Sequence, residues 1–136
     1  MRIMLDTNVL ISAFVFGGQI WNLLKILFDM KCKLYVSEYV DAEFKRILDK
    51  KWSSRAGKIY SSYRSADFIF CPSTSETLGH LRDEKDVPVL SDAIYHSVDI
   101  LLTGDKDFLE ADIETPLIVS PSELSELFSR KGFFYG

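Results

Sequence analysis

The chain has 136 residues, of which 47% are hydrophobic and 26% are charged, and its formal net charge is −4. This composition is typical of one globular domain and excludes a disordered or fibrous chain. The acidic balance excludes a protein that binds nucleic acid through overall charge alone. Because the sequence contains no apolar run of membrane-spanning length, no secretory signal pattern and only two cysteines, we expect a single cytoplasmic domain over residues 1–136 that does not contact a membrane.

Four short apolar runs along the chain are predicted to be strands. None of them alternates with polar residues, which is typical of strands that are covered on both faces of a parallel sheet. A weaker candidate for a fifth strand lies at residues 68–70. The four runs are residues 3–5, 34–36, 100–102 and 117–119.

The segments between these runs have helical spacing. Ser120, Pro121 and Glu123 predict a capped helix near the end of the chain, and residues 72–87 predict a loop. The element order β-α-α-β-α-α-(β)-α-β-α-β-α favours a three-layer α/β/α sandwich with a central, mostly parallel sheet. Three apolar stripes define the other helices: Ile20, Leu23, Leu24, Leu27 and Phe28; Val40, Phe44, Ile47 and Leu48; and Leu90, Ala93, Ile94 and Val98.

Two aspartates follow within three residues of the ends of predicted strands. Asp6 follows the first strand, and Asp105 comes three residues after the run that ends at Leu102. Ligands of open α/β sheets bind beyond the carboxyl ends of the strands, so these two carboxylates are expected at one edge of the sheet. For either residue alone, capping of the following helix explains its position equally well.

Two further acids are predicted to join them. Glu43 lies on or beside the buried stripe of its helix, where a carboxylate without a partner is rare. Asp86 directly precedes a helix and projects toward the sheet edge. The remaining acids near these elements are assigned otherwise: Glu38 to a helix-dipole interaction, Asp41 and Asp92 to solvent-facing positions, and Asp83 to either the site or its loop.

Four converging carboxylates repel one another unless cations neutralise them. Carboxylate ligands suit Mg²⁺ or Mn²⁺, whereas zinc would normally be bound by histidine or cysteine. His80 and His96 have no partner one helical turn away, so each is predicted to be a surface or packed residue. Carboxylate-bound metals indicate phosphoryl chemistry, in which the ion activates water and neutralises the leaving oxygen.

With these acids in this order, the sequence resembles the PIN-domain family of metal-dependent nucleases, and within it the VapC-like toxins of prokaryotic toxin–antitoxin pairs. The resemblance covers nearly the whole chain. It departs from the family at Glu84, where proline is frequent. The matching segments are MLDTNVLISA (residues 4–13), residues 37–48, RDEKD (82–86), LLTGDKDF (101–108) and residues 118–124.

The resemblance implies a function and a set of site residues. It implies a metal-dependent endoribonuclease that uses Mg²⁺ or Mn²⁺, leaves a 3′-hydroxyl and a 5′-phosphate, forms a homodimer and has a cognate antitoxin. The alternative is a catalytically inactive PIN-type module that binds RNA or protein; such a module is expected to lack one of the acids. By position, the implied catalytic and metal-binding residues are Asp6, Glu43, Asp86 and Asp105, with Asp107 as a further ligand and Asn8, Ser12 and Thr103 as accessory residues.

A basic segment, residues 45–64, contrasts with the acidic remainder of the chain. It contains seven lysines and arginines and one acid. One interpretation is that its bases are the solvated faces of two helices. The other is that Lys50, Lys51, Arg55 and Lys58 bind RNA phosphates, with Trp52 or Tyr60 stacking on a base.

Overall fold

Alternating strands and helices form one central sheet. A computed structural model describes residues 1–130; residues 131–136, which the single-domain prediction includes, lie outside the described part. The strands are β1 (Arg2–Leu5), β2 (Lys33–Ser37), β3 (Ile69–Cys71), β4 (Ile100–Leu102) and β5 (Leu117–Val119). The helices are α1 (Thr7–Ile11), α2 (Gly18–Asp29), α3 (Glu38–Lys51), α4 (Ala56–Ser65), α5 (Val87–Tyr95), α6 (Lys106–Leu109) and α7 (Pro121–Arg130).

This order confirms the predicted sequence of elements, including the weaker strand candidate, which is β3. Two short turns are added to it. A π-helical turn, Ser12–Phe16, follows α1, and a 3₁₀ turn, Glu84–Asp86, leads into α5 within the predicted loop. Val98 is buried as its apolar stripe suggested, but α5 ends before it, at Tyr95.

All neighbouring strands are parallel, and their order across the sheet is β3-β2-β1-β4-β5. In the central strands β1 and β4, the consecutive residues 3–5 and 100–102 are all buried. Because neighbouring side chains of a strand point to opposite faces, this burial means that both faces of the sheet centre are covered. The α/β/α prediction is therefore confirmed.

The edge strands differ from the centre. Ile69 in β3 and Leu117 in β5 are exposed by 38% and 46%, although their sequences are as apolar as those of the central strands. An edge strand has a neighbouring strand on one side only, so some of its side chains remain exposed to solvent. The apolar sequence of a strand therefore does not reveal whether the strand lies at the centre or the edge of the sheet.

The centre of the sheet is also its topological switch point. The chain leaves β1 toward β2 on one side and leaves β4 toward β5 on the other. The connections after these adjacent strands therefore diverge and open a crevice at their carboxyl ends. Asp6 and Asp105 follow these two strands.

Packing of α3 against its neighbours fixes the helix that carries Glu43. Phe44 is fully buried, and its ring lies 4.8 Å from the ring of Tyr63 in α4 and 6.4 Å from that of Phe14. Aromatic rings at these separations favour tilted and edge-on contacts of the kind seen here. A buried aromatic directly after Glu43 therefore sets the rotation of α3 about its axis.

The predicted capping box of α7 is confirmed. The Glu123 amide donates to Ser120 Oγ at 3.1 Å, and the Ser120 amide donates to Glu123 Oε1 at 3.2 Å. In residues 1–130 no single helix is long and apolar enough to cross a membrane; the pair Thr7–Phe16 and Gly18–Asp29 reaches that length only when combined across a 109° bend.

Candidate metal centre

Asp6 lies where β1 ends, at the carboxyl edge of the sheet. Its amide donates to the Leu102 carbonyl at 3.0 Å, which extends the pairing of β1 with β4 by one residue. Its side chain accepts from the Thr7 amide at 2.8 Å and from Thr103 Oγ1 at 2.8 Å. Burial raises the pKa of Asp6, the two hydrogen bonds oppose this rise, and Glu43 and Asp105 add to it. Asp6 therefore caps α1 and also belongs to a group of acids.

Thr103 links Asp6 to Asp105. Its buried hydroxyl donates to Asp6 and accepts from the Asp105 amide at 3.1 Å. Asp105 in turn accepts from the Asp107 amide at 2.9 Å and so caps α6. A single hydroxyl therefore sets the position of both strand-end aspartates.

Glu43 joins the same network through Thr7, which is buried at the start of α1. The Thr7 hydroxyl donates to Glu43 Oε1, and Arg46 lies 3.9 Å from the other carboxylate oxygen. The Glu43 side chain is 30% exposed, which agrees with its expected place at the margin of the buried stripe. Sequence reasoning assigned no role to Thr7, because no local pattern indicates which distant acid a helix-start threonine will contact.

Asp86 faces the other acids from the start of α5. Its Oδ2 atom is buried and has no hydrogen-bond partner in the part of the chain that the structure describes. Burial raises the pKa of Asp86 to about 7, with further contributions from Asp105, Asp6 and Asp83. A buried carboxylate oxygen without a donor, beside other acids, is a position that a cation would stabilise.

Asp86 also belongs to a set of three acids that lie close together. Carboxylate oxygens of Asp83, Asp86 and Asp107 all lie within 4.8 Å of one another. Asp83 also accepts from the Lys85 amide at 3.0 Å, and Arg82 Nε lies 3.9 Å from Asp107. The sequence left Asp83 open between two roles, and the structure places it beside Asp86.

The two accessory residues of α1 and the turn after it are less connected. Asn8 is exposed and Ser12 is partly buried. Neither side chain makes a hydrogen bond to another residue in the range 1–130. Asn8 and Ser12 are therefore close to Asp6 in sequence, but their side chains do not join its hydrogen-bond network.

Two acids predicted to face solvent are buried or bonded, and these predictions are wrong. Asp92 is 1% exposed and accepts from Ser73 Oγ and the Thr74 amide, both at 2.7 Å. The loop after β3 covers this face of α5, and an apolar stripe cannot reveal such polar cover.

Asp41 is the second correction. It accepts from the Tyr63 hydroxyl at 2.7 Å and from the Tyr60 hydroxyl at 3.1 Å, and Arg64 lies 3.6 Å away. Helix α4 packs against α3 on this side. Asp41 therefore ties the two helices together and lies outside the group of acids.

The acids fit a hard divalent cation. The ligands on offer are carboxylate oxygens, which suit Mg²⁺ or Mn²⁺, and neither histidine is among them. Within residues 1–130, only Arg46 and Arg82 form ion pairs with these acids, at 3.9 Å in each case. The unpartnered Oδ2 atom of Asp86 gives this fit an observation independent of charge counting.

The basic segment is organised differently. Lys50, Lys51, Arg55 and Lys58 are all exposed, at the end of α3 and around the start of α4. Arg55 donates to the Val15 carbonyl at 3.5 Å, and none of the four forms an ion pair with another described residue.

The two aromatic side chains predicted to stack on a base already contact other residues of the protein. Tyr60 donates to Asp41 and carries the Lys45 ammonium 5.7 Å from its ring centre. Trp52 lies edge-on to exposed Phe16, with ring centres 5.8 Å apart. These contacts restrain the Trp52 side chain less than that of Tyr60.

Comparisons with known proteins agree on the fold. The family model of the PIN domain matches residues 2–107. VapBC2 from Rickettsia felis, solved bound to a DNA fragment of its promoter, is 18% identical with a TM-score of 0.70 and covers 88% of this chain and 98% of its own. VapC20 from Mycobacterium tuberculosis, described as a sarcin–ricin loop cleaving toxin, is 16% identical with a TM-score of 0.59, over 82% and 96%. No curated protein matches the sequence significantly.

Proposed function

The chain belongs to the PIN-domain family, and from that premise we propose that it is a divalent-metal-dependent endoribonuclease, the toxin of a toxin–antitoxin pair. The observation that carries the proposal is the buried, unpartnered oxygen of Asp86 beside the acids that follow β1 and β4. A cation would stabilise a carboxyl group in this environment, and a metal ion held by carboxylates can activate water for the hydrolysis of phosphodiesters.

The proposed metal ligands are the four acids of the sequence prediction together with a neighbour on α6. These residues would hold a Mg²⁺ or Mn²⁺ ion, which would supply an activated water and neutralise charge on the leaving oxygen. Thr103 holds Asp6 and Asp105 in place, and Thr7 holds Glu43. The ligands are Asp6, Glu43, Asp86, Asp105 and Asp107.

RNA as substrate and an antitoxin as partner are proposed from the relatives. VapC20 is described as cleaving the sarcin–ricin loop, and VapBC2 is named as a pair. We extend RNA cleavage and a cognate antitoxin to this chain, together with assembly as a homodimer in the cytoplasm. Asn8 and Ser12, which the structure leaves outside the network, are proposed as accessory residues that contact RNA or water.

The basic segment is the proposed RNA-binding surface. Lys50 and Lys51 end the helix that carries Glu43, and Arg55 and Lys58 follow at the start of α4. None of the four forms an ion pair with an acid of the described chain. Phosphate binding by such residues would counter the repulsion between an acidic protein and RNA.

The test compares RNA cleavage by the wild type and Asp6→Asn with Mg²⁺, with Mn²⁺ and with a chelator. We expect Asp6→Asn to lower the rate at least about 100-fold, because even residues that only support a metal ligand change activity by about 10–100-fold. Asp29→Asn changes an exposed acid at the end of α2, outside both the acidic group and the basic segment, and is the control that should cleave normally.

Cleavage that survives chelation, or an undiminished rate in purified Asp6→Asn, contradicts the proposal. If the wild type binds RNA but does not cleave it with either metal, the inactive PIN-type binding module is the better description.

A further inference from the structure

We propose that Ser73 and Asp92 are positioning residues for the acidic site, because they form a bridge that fixes the spacing between Glu43 on α3 and Asp86 at the start of α5. This inference rests on the proposed metal site. It concerns two residues outside that site. The sequence predicted Ser73 to lie in a loop and Asp92 to face the solvent.

The bridge begins at Asp92, on the face of α5 that the loop after β3 covers. Both carboxylate oxygens are used, since Oδ2 accepts from Ser73 Oγ and Oδ1 accepts from the Thr74 amide, each at 2.7 Å. Asp92 is 1% exposed and forms no ion pair with any residue in the range 1–130. A buried polar side chain of this kind is tolerated only where hydrogen bonds satisfy it, so these bonds hold residues 73 and 74 against α5.

Ser73 carries the connection onward to α3. Its hydroxyl, which donates to Asp92, accepts from the Tyr39 amide at 3.0 Å. Its own amide donates to Glu38 Oε1, also at 3.0 Å. Glu38 and Tyr39 form the first turn of α3, so one serine binds both helices at once. Along the chain, α3 and α5 are separated by α4, β3 and the loop after β3. Ser73 connects the two helices directly through its hydrogen bonds.

A second link runs closer to the acids. The Tyr39 hydroxyl donates to the Lys85 carbonyl at 3.3 Å, and Lys85 directly precedes Asp86. Burial raises the pKa of Tyr39, and Glu43, Asp86 and Asp6 raise it further, in agreement with a ring that lies beside these carboxylates. Tyr39 thus contacts the backbone on the Asp86 side while its main chain is held through Ser73.

The neighbouring residue Ser91 supplies a matched control. Its hydroxyl also ties the loop to α5, accepting from the Leu78 amide at 2.8 Å and donating to the Leu78 carbonyl at 3.1 Å. Neither of these two hydrogen bonds involves a residue of α3. Ser91→Ala therefore removes a hydroxyl between the loop and α5 without breaking the bridge to Glu43.

The experiment measures Mn²⁺ affinity by titration calorimetry in the full chain. We expect Ser73→Ala to weaken Mn²⁺ binding about tenfold, as loss of residues that support metal ligands does. Ser73→Thr, which keeps the hydroxyl, should restore most of the affinity, and Ser91→Ala should leave it unchanged. Tyr39→Phe, which removes the second link only, should produce a smaller loss and serves if Ser73→Ala does not fold.

A double-mutant comparison distinguishes a positioning role of Ser73 from a general loss of rigidity. In a Glu43→Gln background the spacing to Asp86 matters less, so Ser73→Ala should cause little further loss. Equal losses in Ser73→Ala and Ser91→Ala, or an undiminished effect of Ser73→Ala in the Glu43→Gln background, would overturn the inference. Failure of the proposed function has a different signature: the wild type and Asp86→Asn would bind Mn²⁺ equally.

Discussion

The acidic edge of the sheet and the basic segment 45–64 carry opposite charges and are built in opposite ways. Each strand-end acid is fixed by hydrogen bonds from the main chain or from a threonine hydroxyl, whereas Lys50, Lys51 and Lys58 have no ion pair within residues 1–130. Fixed oxygens suit a cation that demands defined geometry. Lysines without an ion pair suit phosphates whose positions vary along an RNA strand. The contrast agrees with the different demands of the proposed metal site and the proposed RNA-binding surface.

The largest effect expected from this contrast is on metal-induced stability. A metal at 100 times its Kd should stabilise the wild type by about 2.7 kcal/mol, or roughly 10 °C in Tm for a domain of this size. Asp105→Asn should lose most of that increase, because it removes a proposed ligand. Thermal melts with and without Mn²⁺ measure the difference; equal increases in both proteins would show that the ions bind elsewhere.

The next effect is the pH dependence of the metal-free protein. The pKa of Asp86 is about 7 in the folded state and about 3.9 in an unfolded chain. The folded state therefore holds this proton more tightly, so stability is full below about pH 4 and falls as the pH rises through 7. Asp86→Asn should remove this decline.

Urea unfolding in the presence of a chelator, from pH 4 to 8, tests this expectation. Asp49→Asn, which changes an exposed acid of α3 outside the acidic group, should retain the wild-type decline. A decline of the same size in Asp86→Asn would assign the pH dependence to other groups.

The basic segment should show a smaller effect of a different kind. Replacing Lys50 and Lys51 with glutamine should weaken RNA binding and lower its salt slope by about 1.4, since each phosphate contact on a single strand contributes about 0.7. Mn²⁺ affinity should not change, because neither lysine is a ligand. An unaltered salt slope would leave these lysines as solvated helix faces.

The smallest effect is expected at Asn8. Its side chain is exposed and unbonded in the described chain, so Asn8→Ala should change the free energy of unfolding by less than about 0.5 kcal/mol. A clear fall in RNA cleavage without loss of stability would show that Asn8 acts on the substrate. An unchanged rate would remove it from the accessory residues.

The features that could be predicted from the sequence are those that local pattern determines. Continuous apolar runs identified the strands, and parallel strands bring their carboxyl ends to one edge, which is why Asp6 and Asp105 were expected together. The capping box at Ser120 and Glu123 was predictable because both partners lie within four residues.

Polar cover from distant segments was not predictable. Asp92 lies on the side of α5 opposite its apolar stripe, and only the fold shows that Ser73 and Thr74 lie against it. Asp41 was misjudged for the same reason, because tyrosines of α4 cover it. Helical periodicity identifies the faces that hydrocarbon covers and carries no information about faces covered by hydroxyl and amide groups.

The hydrogen bond between Asp6 and Thr103 joins residues 97 positions apart. A ribosome releases the chain from its N-terminus at about 5–20 residues per second, so Asp6 emerges roughly 5–20 s before the strand that will lie beside it. Throughout that interval β1 lacks one of its neighbours, and the acids that follow β4 have not yet been made. The order of strands in the sheet therefore delays assembly of the acidic centre during synthesis, and no growing chain shorter than 105 residues can contain it.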